Sequence, residues 1–191
     1  MKIAIIDFDN CLFITDGALY RAYSDAFLIN GYKLDLLDWN KYFGYPIDYL
    51  FDKYCLSLKD RKAISLYKKE NYNKHFNCIR INDVMYSELK EYDYFIICSM
   101  TDKYTIESII AHFESLDFFS MKYSIVGKES VNNLISKRDI YLEVKKKTDK
   151  LYFDFDLDIY DDLKNNLVEA KDVFGEYSNY YQVYQSEIIQ I

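Results

Sequence analysis

Apolar residues follow two different rhythms along this chain. The stretch "KIAIIDFDN" runs through consecutive aliphatics, Ile3 to Ile6, and closes on two acids, Asp7 and Asp9. Residues 2–6 are too few and too uniformly apolar for an amphipathic helix, and they predict a strand covered on both faces, as in a parallel α/β sheet. From Asp16 to about Asn77 the spacing becomes helical: Tyr20, Tyr23, Ala26 and Phe27 fall on one face, and "LLDWNKYF" and "IDYLFDKYCL" carry further apolar stripes. Gly44 and the single proline, Pro46, punctuate between those two stripes. The expectation is a helical block of roughly sixty residues set between two strands, with no Pro- or Ser-rich linker.

Beyond that block, strand and helix alternate. "MYSELKEY" predicts a helix, "DYFIICS" a buried strand, "DKYTIESIIAHFESL" a helix, "KYSIV" a strand, and "DIYLEVKKK" a short helix leading into "KLYFD" as the next strand. Ile159, Leu163, Leu167, Ala170 and Phe174 then recur every three or four residues, which predicts one helical face ending at Gly175, and "YYQVY" supplies a last strand. Alternating β and α elements imply right-handed crossovers and a doubly wound, Rossmann-like, mostly parallel α/β sheet. The predicted plan is a core of residues 1–15 and 80–191, with an α-helical cap subdomain inserted at 16–79. A sheet of this kind binds ligands outside the carboxyl ends of its strands.

Composition narrows the partners. At 191 residues the chain can bury a full core, and with half its residues hydrophobic it is not a disordered protein. Acids outnumber Lys and Arg 31 to 24, and a formal charge of −7 argues against a nucleic-acid surface, which needs clustered cations. A small anion held by local groups is compatible with that balance. The 21 Tyr and 13 Phe are scattered at core-like spacings, which reads as packing and not as a base-stacking platform. Cys11, Cys55, Cys78 and Cys98 show no C-x-x-C spacing, and no basic-then-apolar leader precedes the first strand, which together point to a reducing cytoplasm. No apolar run approaches the roughly 18 residues that span a bilayer, so no membrane role is expected.

Three predicted strand ends carry oxygen ligands to one side of the sheet: Asp7 and Asp9 after the first strand, Ser99 after "YFIIC", and Asp154 after "LYF". Carboxylates gathered in this way need a cation between them. Oxygen donors suit Mg²⁺, which typically binds one or two carboxylates together with a substrate phosphate, and the two histidines, His75 and His112, fall within helical patterns instead. Extended residues i and i+2 point the same way, so the D-x-D of Asp7 and Asp9 sets two carboxylates beside one phosphate. One can attack phosphorus to give an aspartyl-phosphate, while the other protonates the leaving alcohol and later deprotonates water. Taken alone, D-x-D also fits a solvated turn.

The order of motifs resembles the haloacid dehalogenase superfamily, in its phosphatase and mutase branch with a helical cap inserted after the first strand. "IIDFDNCLF" resembles its first motif, "FIICSMT" its second, "SKRDIYLEV" its third and "LYFDFDLD" its fourth, and "ALYRAYSDAFLINGYKLDLLDWNKYFGYP" is similar to the start of the cap in phosphoglycolate-phosphatase-like and phosphoglucomutase-like members. The resemblance implies Asp7 as nucleophile and metal ligand, Asp9 as acid/base that also lends a backbone carbonyl to the metal, Ser99 as the phosphate-holding hydroxyl, and Lys137 as the neutralising lysine. It implies Asp154 and Asp158 as the fourth-motif metal ligands, and Mg²⁺ as cofactor. Two alternatives stand beside these: Lys128 in "VGKES" for Lys137, and Asp161 with Asp162 in "IYDD" for Asp154 and Asp158. The second register would make "DFDLDIY" a central strand and bury Asp156 and Asp158, so the first is the expectation. Asn10, Cys11 and Phe153 depart from the Gly, Thr and Gly usual in the family.

The resemblance implies a Mg²⁺-dependent phosphatase acting on a small phosphorylated metabolite such as a sugar phosphate, phosphoglycolate or nucleotide monophosphate. Asp9 disfavours a dehalogenase, which lacks an acid there. A phosphomutase, a nucleic-acid end phosphatase and a binding or regulatory protein that has lost turnover are the alternatives, the last motivated by Asn10, Cys11 and Phe153. Tyr20, Trp39, Tyr42 and Tyr45 are cap aromatics that either pack or recognise substrate. The oligomeric state is not legible.

Overall fold

The computed structural model describes residues 1–43, 45–113, 121–132, 134–150, 155–185 and 187–191. The chain divides into two compact units, Met1–Ile14 with Arg80–Ile191, and Thr15–Ile79.

The first unit is built on a six-stranded sheet in the order β5-β4-β1-β6-β7-β8, with β1 Lys2–Ile6, β4 Tyr94–Cys98, β5 Tyr123–Val126, β6 Asp156–Asp161, β7 Asn179–Val183 and β8 Ile188–Gln190. All neighbours run parallel except β7 and β8, so the unit has the α/β architecture that alternation predicts. The β1 strand lies at the centre, and Ile3 to Ile6 are fully buried because both faces of a central parallel strand are covered. On one face Ile3, Ile5, Ile96, Leu157 and Ile159 pack with Ile140, Tyr141 and Val144 of α7 (Lys137–Thr148) and with Leu167, Ala170 and Val173 of α8 (Lys164–Phe174). Ala4 and Ile6 leave β1 on the other face. Helices α5 (Asp83–Leu89) and α6 (Lys103–His112) complete the α-helices described in this unit, beside a 3-10 turn at Lys128–Ser130, and Asn82 and Asp102 cap them by accepting the Met85 and Thr105 N–H groups. A two-stranded antiparallel ribbon, β2 (Phe13–Ile14) with β3 (Arg80–Ile81), stands where the second unit leaves and rejoins the chain.

The second unit is helical: α1 Asp16–Ile29, α2 Leu36–Tyr42, α3 Ile47–Lys53, α4 Leu58–Asn71 and a 3-10 helix, Tyr72–Cys78. Its core gathers Ala26, Phe27, Trp39, Leu50, Phe51, Leu56 and Ile64, with the Tyr54 ring edge-on to Phe27 at 5.2 Å. Trp39 donates its indole N–H to Asp16 Oδ1 at 2.8 Å, which satisfies the one polar atom of an otherwise buried ring. Tyr20 and Tyr42 pack against this cluster, whereas Tyr45 is exposed and meets Tyr49 edge-on.

One strand lies later in the chain than the apolar pattern predicts. The "LYF" run and Asp154 of the expected strand "KLYFD" are residues 151–154, outside the described residues, and the strand beside β1 is "DLDIYD", with Ile159 inside it and α8 opening at Lys164. The expectation that this register would strand buried charge fails for a physical reason. Asp156 is exposed at the strand entrance, and Asp158, though buried, accepts the Tyr92 hydroxyl at 2.5 Å and the Asn179 amide at 2.7 Å. Tyr92 also meets the Tyr160 hydroxyl, which donates to Glu88, so the carboxylate belongs to a connected network. The terminal β8 and the β2–β3 ribbon are further elements that the pattern does not foretell.

Candidate active site

The strand register sets the level of the site. Ile6 of β1 pairs with Ile97 of β4 and with Tyr160 of β6, and the Asp7 N–H donates to the Tyr160 carbonyl at 2.9 Å. Asp7, Ser99 and Asp162, each the residue after a strand, and Asp161, the last residue of β6, therefore emerge at one end of the sheet, the carboxyl end that serves ligands in parallel sheets. One carboxylate oxygen from each of Asp7, Asp161 and Asp162 lies within 4.8 Å of the other two.

Lys137 is brought in from the other direction. It is the first residue of α7, whose start is fixed by a capping box in which the Ser136 hydroxyl accepts from backbone N–H and the Asp139 carboxylate accepts the Ser136 N–H. Side chains in a first helical turn lean toward the N-terminus, which carries the ammonium over the sheet end. There it donates to Asp7 Oδ1 and to the Cys98 carbonyl, the latter at 2.6 Å, and stands 3.7 Å from Asp161 Oδ2. Lys128, the rival lysine, lies outside this cluster: it is exposed and 3.9 Å from Asp102.

Asp161 is the most fully engaged of the acids. Its Oδ1 accepts the Leu163 N–H and the Asn166 amide, each at 2.9 Å, and its Oδ2 accepts the Tyr141 hydroxyl at 2.9 Å. Asp162 is half-buried beside it, and Gln182 donates to its carbonyl at 3.1 Å. On the β1 and β4 side, Ser99 is buried, its hydroxyl accepts the Thr101 N–H at 3.0 Å, and the Thr101 hydroxyl donates to Asp9 Oδ2 at 2.6 Å. Asp9 lies within a tight turn closed by Phe13 N–H to Phe8 carbonyl and Asn10 N–H to Phe13 carbonyl. Asn10 sits there at φ 57°, a left-handed conformation that Asn tolerates better than most residues, so it can stand where a glycine would. Cys11 behind it is fully buried.

The electrostatics follow from crowding acids in a dry place. Burial pushes the Asp7 carboxyl up to about 7, with the Lys137 ammonium opposing and Asp161 and Asp9 adding to the rise. Burial, then Asp7 and Asp161, push Asp162 up to about 9. Burial works against charge on Lys137 as well, but Asp7 and Asp161 outweigh it and raise that pKa. One ammonium thus faces a surplus of carboxylates. All donors in the cluster are oxygens, the chemistry of a hard divalent cation, and three carboxylates at this spacing fit one.

Of the acids expected to hold metal, the structure brings Asp7 to the cluster and leads Asp9 to its edge through Thr101. Asp158 is mid-strand in β6, three residues before Asp161, and so leaves the sheet on the opposite face, toward Tyr92. It is replaced in the cluster by Asp161 and Asp162, the alternative register, while Asp154 lies outside the described residues. The double acid after the apolar pair in "IYDD" is the sequence signal for that register. Thr101 and Tyr141 fall inside "FIICSMT" and "SKRDIYLEV" but carry no assigned role there, and Asn166 lies in no motif; the fold shows the contacts of all three at the site.

No protein-family model matches this chain, and no curated protein matches it in sequence. Solved structures do. A haloacid dehalogenase-like family hydrolase from Streptococcus pneumoniae superposes with a TM-score of 0.69 at 18% identity, over 91% of this chain and 81% of that one. The fold is that of haloacid dehalogenase-like hydrolases. A protein from Clostridium acetobutylicum bearing the name predicted phosphatase gives a TM-score of 0.71 at 16% identity, over 96% of this chain and 85% of that one. Protein Tyrosine Kinase A of Mycobacterium tuberculosis gives 0.66 at 15% identity, over 94% and 82%. The haloacid dehalogenase-like frame thus carries neighbours named for opposite directions of phosphoryl transfer, so chemistry must be argued from the side chains. Among the described residues no helix is long and apolar enough to cross a membrane.

Proposed function

We propose that this chain is a Mg²⁺-dependent phosphohydrolase that cleaves a small phosphomonoester through an aspartyl-phosphate on Asp7. The observation that carries the reading is the cluster of Asp7 with Asp161 and Asp162, with the Lys137 ammonium set against Asp7 and Asp161 and a second carboxylate, Asp9, two residues on from Asp7. An Asp7 oxygen attacks phosphorus, the bond from phosphorus to the substrate oxygen breaks, and Asp9 supplies a proton to the departing alcohol. Water then attacks the phosphoryl group, Asp9 takes its proton, the bond to Asp7 breaks, and inorganic phosphate leaves. Lys137 and the Ser99 hydroxyl hold the phosphoryl oxygens. Asp7, Asp162 and the Asp9 carbonyl would hold Mg²⁺, and Asp161, whose oxygens already accept three hydrogen bonds, would orient them. When bound, the cation would offset the repulsion between the nucleophile and the phosphate.

The substrate class proposed is a small phosphorylated metabolite of the sugar phosphate, phosphoglycolate or nucleotide monophosphate type. The net charge of −7 disfavours long polyanions, and the phosphatase name of one structural neighbour supports the hydrolytic direction. All four cysteines are free thiols, which supports a reducing compartment such as the cytoplasm. The test is phosphate release from a panel of phosphorylated metabolites with Mg²⁺ or with chelator, set beside Asp7→Asn. Mg²⁺-dependent release that the substitution abolishes is expected. Release by the parent no greater than by Asp7→Asn overturns the reading.

A further inference from the structure

We infer that Thr101 is a positioning residue for the acid/base carboxylate, coupling Asp9 to the phosphate-holding Ser99; the inference rests on the phosphohydrolase reading of this site. Asp9 follows β1 and Ser99 follows β4, so nothing in their local sequence fixes one against the other. Thr101 joins them with two hydrogen bonds from one residue: its N–H donates to Ser99 Oγ at 3.0 Å, and its hydroxyl donates to Asp9 Oδ2 at 2.6 Å. The second bond is charge-assisted and short, the stronger kind.

Thr101 is itself held. Its carbonyl accepts the Lys128 N–H at 3.4 Å, and the next residue, Asp102, is anchored as the cap of α6 by accepting the Thr105 N–H at 3.0 Å and the Thr105 hydroxyl at 2.9 Å. The loop from Ser99 to Asp102 is thus pinned at both ends, and the hydroxyl presents a fixed donor to Asp9. A side chain that must first deliver a proton to a leaving oxygen and then take one from water gains from such a restraint, because both transfers need hydrogen-bond contact with atoms placed by Ser99 and Lys137. Asp9 lies three residues past the end of β1, within the turn that carries the left-handed Asn10, so the strand ladder itself does not orient its side chain.

The experiment compares Thr101→Val, which keeps the shape and removes the donor, with Thr101→Ser, which keeps the donor, and with Thr101→Ala as a second deletion. Thermal melts with and without Mg²⁺ establish that each variant is folded. Steady-state kinetics are measured on an alkyl phosphate and on p-nitrophenyl phosphate, whose leaving group departs without a proton. Val and Ala are expected to lower kcat on the order of 10- to 100-fold with KM little changed, and Ser to restore most of it. The loss in kcat/KM is expected to be larger for the alkyl ester, because only there does the first step require the acid. A parent enzyme that is active but unaffected by Thr101→Val, a Ser variant as impaired as Val, or equal losses on both esters overturns the inference while leaving the phosphohydrolase reading standing. A parent no more active than Asp7→Asn overturns the two together.

Discussion

The surplus of acids at the sheet end should make the metal-free protein weaken as pH rises. An acid whose native pKa lies above its unfolded value keeps a proton that the unfolded chain has already lost. Its contribution is whole below the unfolded value near 3.8 and disappears as pH climbs through the native one, about 7 for Asp7 and about 9 for Asp162. Each proton retained by the native cluster alone changes stability by ~1.4 kcal/mol per pH unit. For a chain of this size one such proton moves the melting temperature by about 3–6 °C per unit. The assay is thermal unfolding between pH 5 and 9, in chelator and in excess Mg²⁺. Chelated protein should lose melting temperature across the range, while Mg²⁺, which binds the ionised acids, should stabilise more at pH 8 than at pH 6. Asp162→Asn is the decisive variant: it removes one of the crowded charges, so it should raise the melting temperature of the chelated protein at pH 8 and blunt the response to Mg²⁺. A chelated protein whose melting temperature is level or rising from pH 6 to 8, with an equal Mg²⁺ increment at both, refutes the electrostatic account of the cluster.

Further outcomes follow from individual contacts. Lys137→Met removes the ammonium that bridges Asp7, the Cys98 carbonyl and Asp161, and should lower kcat on the order of 10²- to 10³-fold and destabilise by ~3–5 kcal/mol at pH 8, read by kinetics and denaturant melts. Asp158→Asn should leave kcat and the Mg²⁺ activation profile near those of the parent, whereas Asp161→Asn should disturb both, since Asp158 faces Tyr92 and Asn179 on the opposite side of β6. Tyr92→Phe leaves Asp158 and Tyr160 each without one partner and should destabilise by ~1–3 kcal/mol with activity retained, measured by urea unfolding.

What the sequence revealed and what it hid divide along physical lines. Uninterrupted aliphatics made β1 and β4 easy to read, because a strand buried on both faces carries its own signature in "KIAII" and "YFIIC". The places of Asp7 and Ser99 were legible because strand ends can be set from such runs, whereas Lys137 rested on the resemblance of "SKRDIYLEV" to a third motif. The β6 strand was misplaced because its acids read as polar, while their solvation by Tyr92 and Asn179 depends on partners 66 and 21 residues away from Asp158. That error carried Asp158 into the expected site and left Asp161 and Asp162 as the alternative. Thr101 and Tyr141 lie inside motif stretches, yet their partners were hidden for a related reason: a hydroxyl that serves a carboxylate 92 or 20 residues away leaves no local pattern of that pairing.

The short β2–β3 ribbon has a bearing on how this architecture varies. Ile14 faces Arg80 directly across that ladder, so the chain departs from and returns to adjacent points. A tight hairpin turn of about two residues would join them. Everything from Thr15 to Ile79 is therefore, in topological terms, cargo strung on one loop. It can lengthen, shrink or be swapped without re-threading a single strand of the sheet whose end gathers Asp7, Asp161 and Asp162.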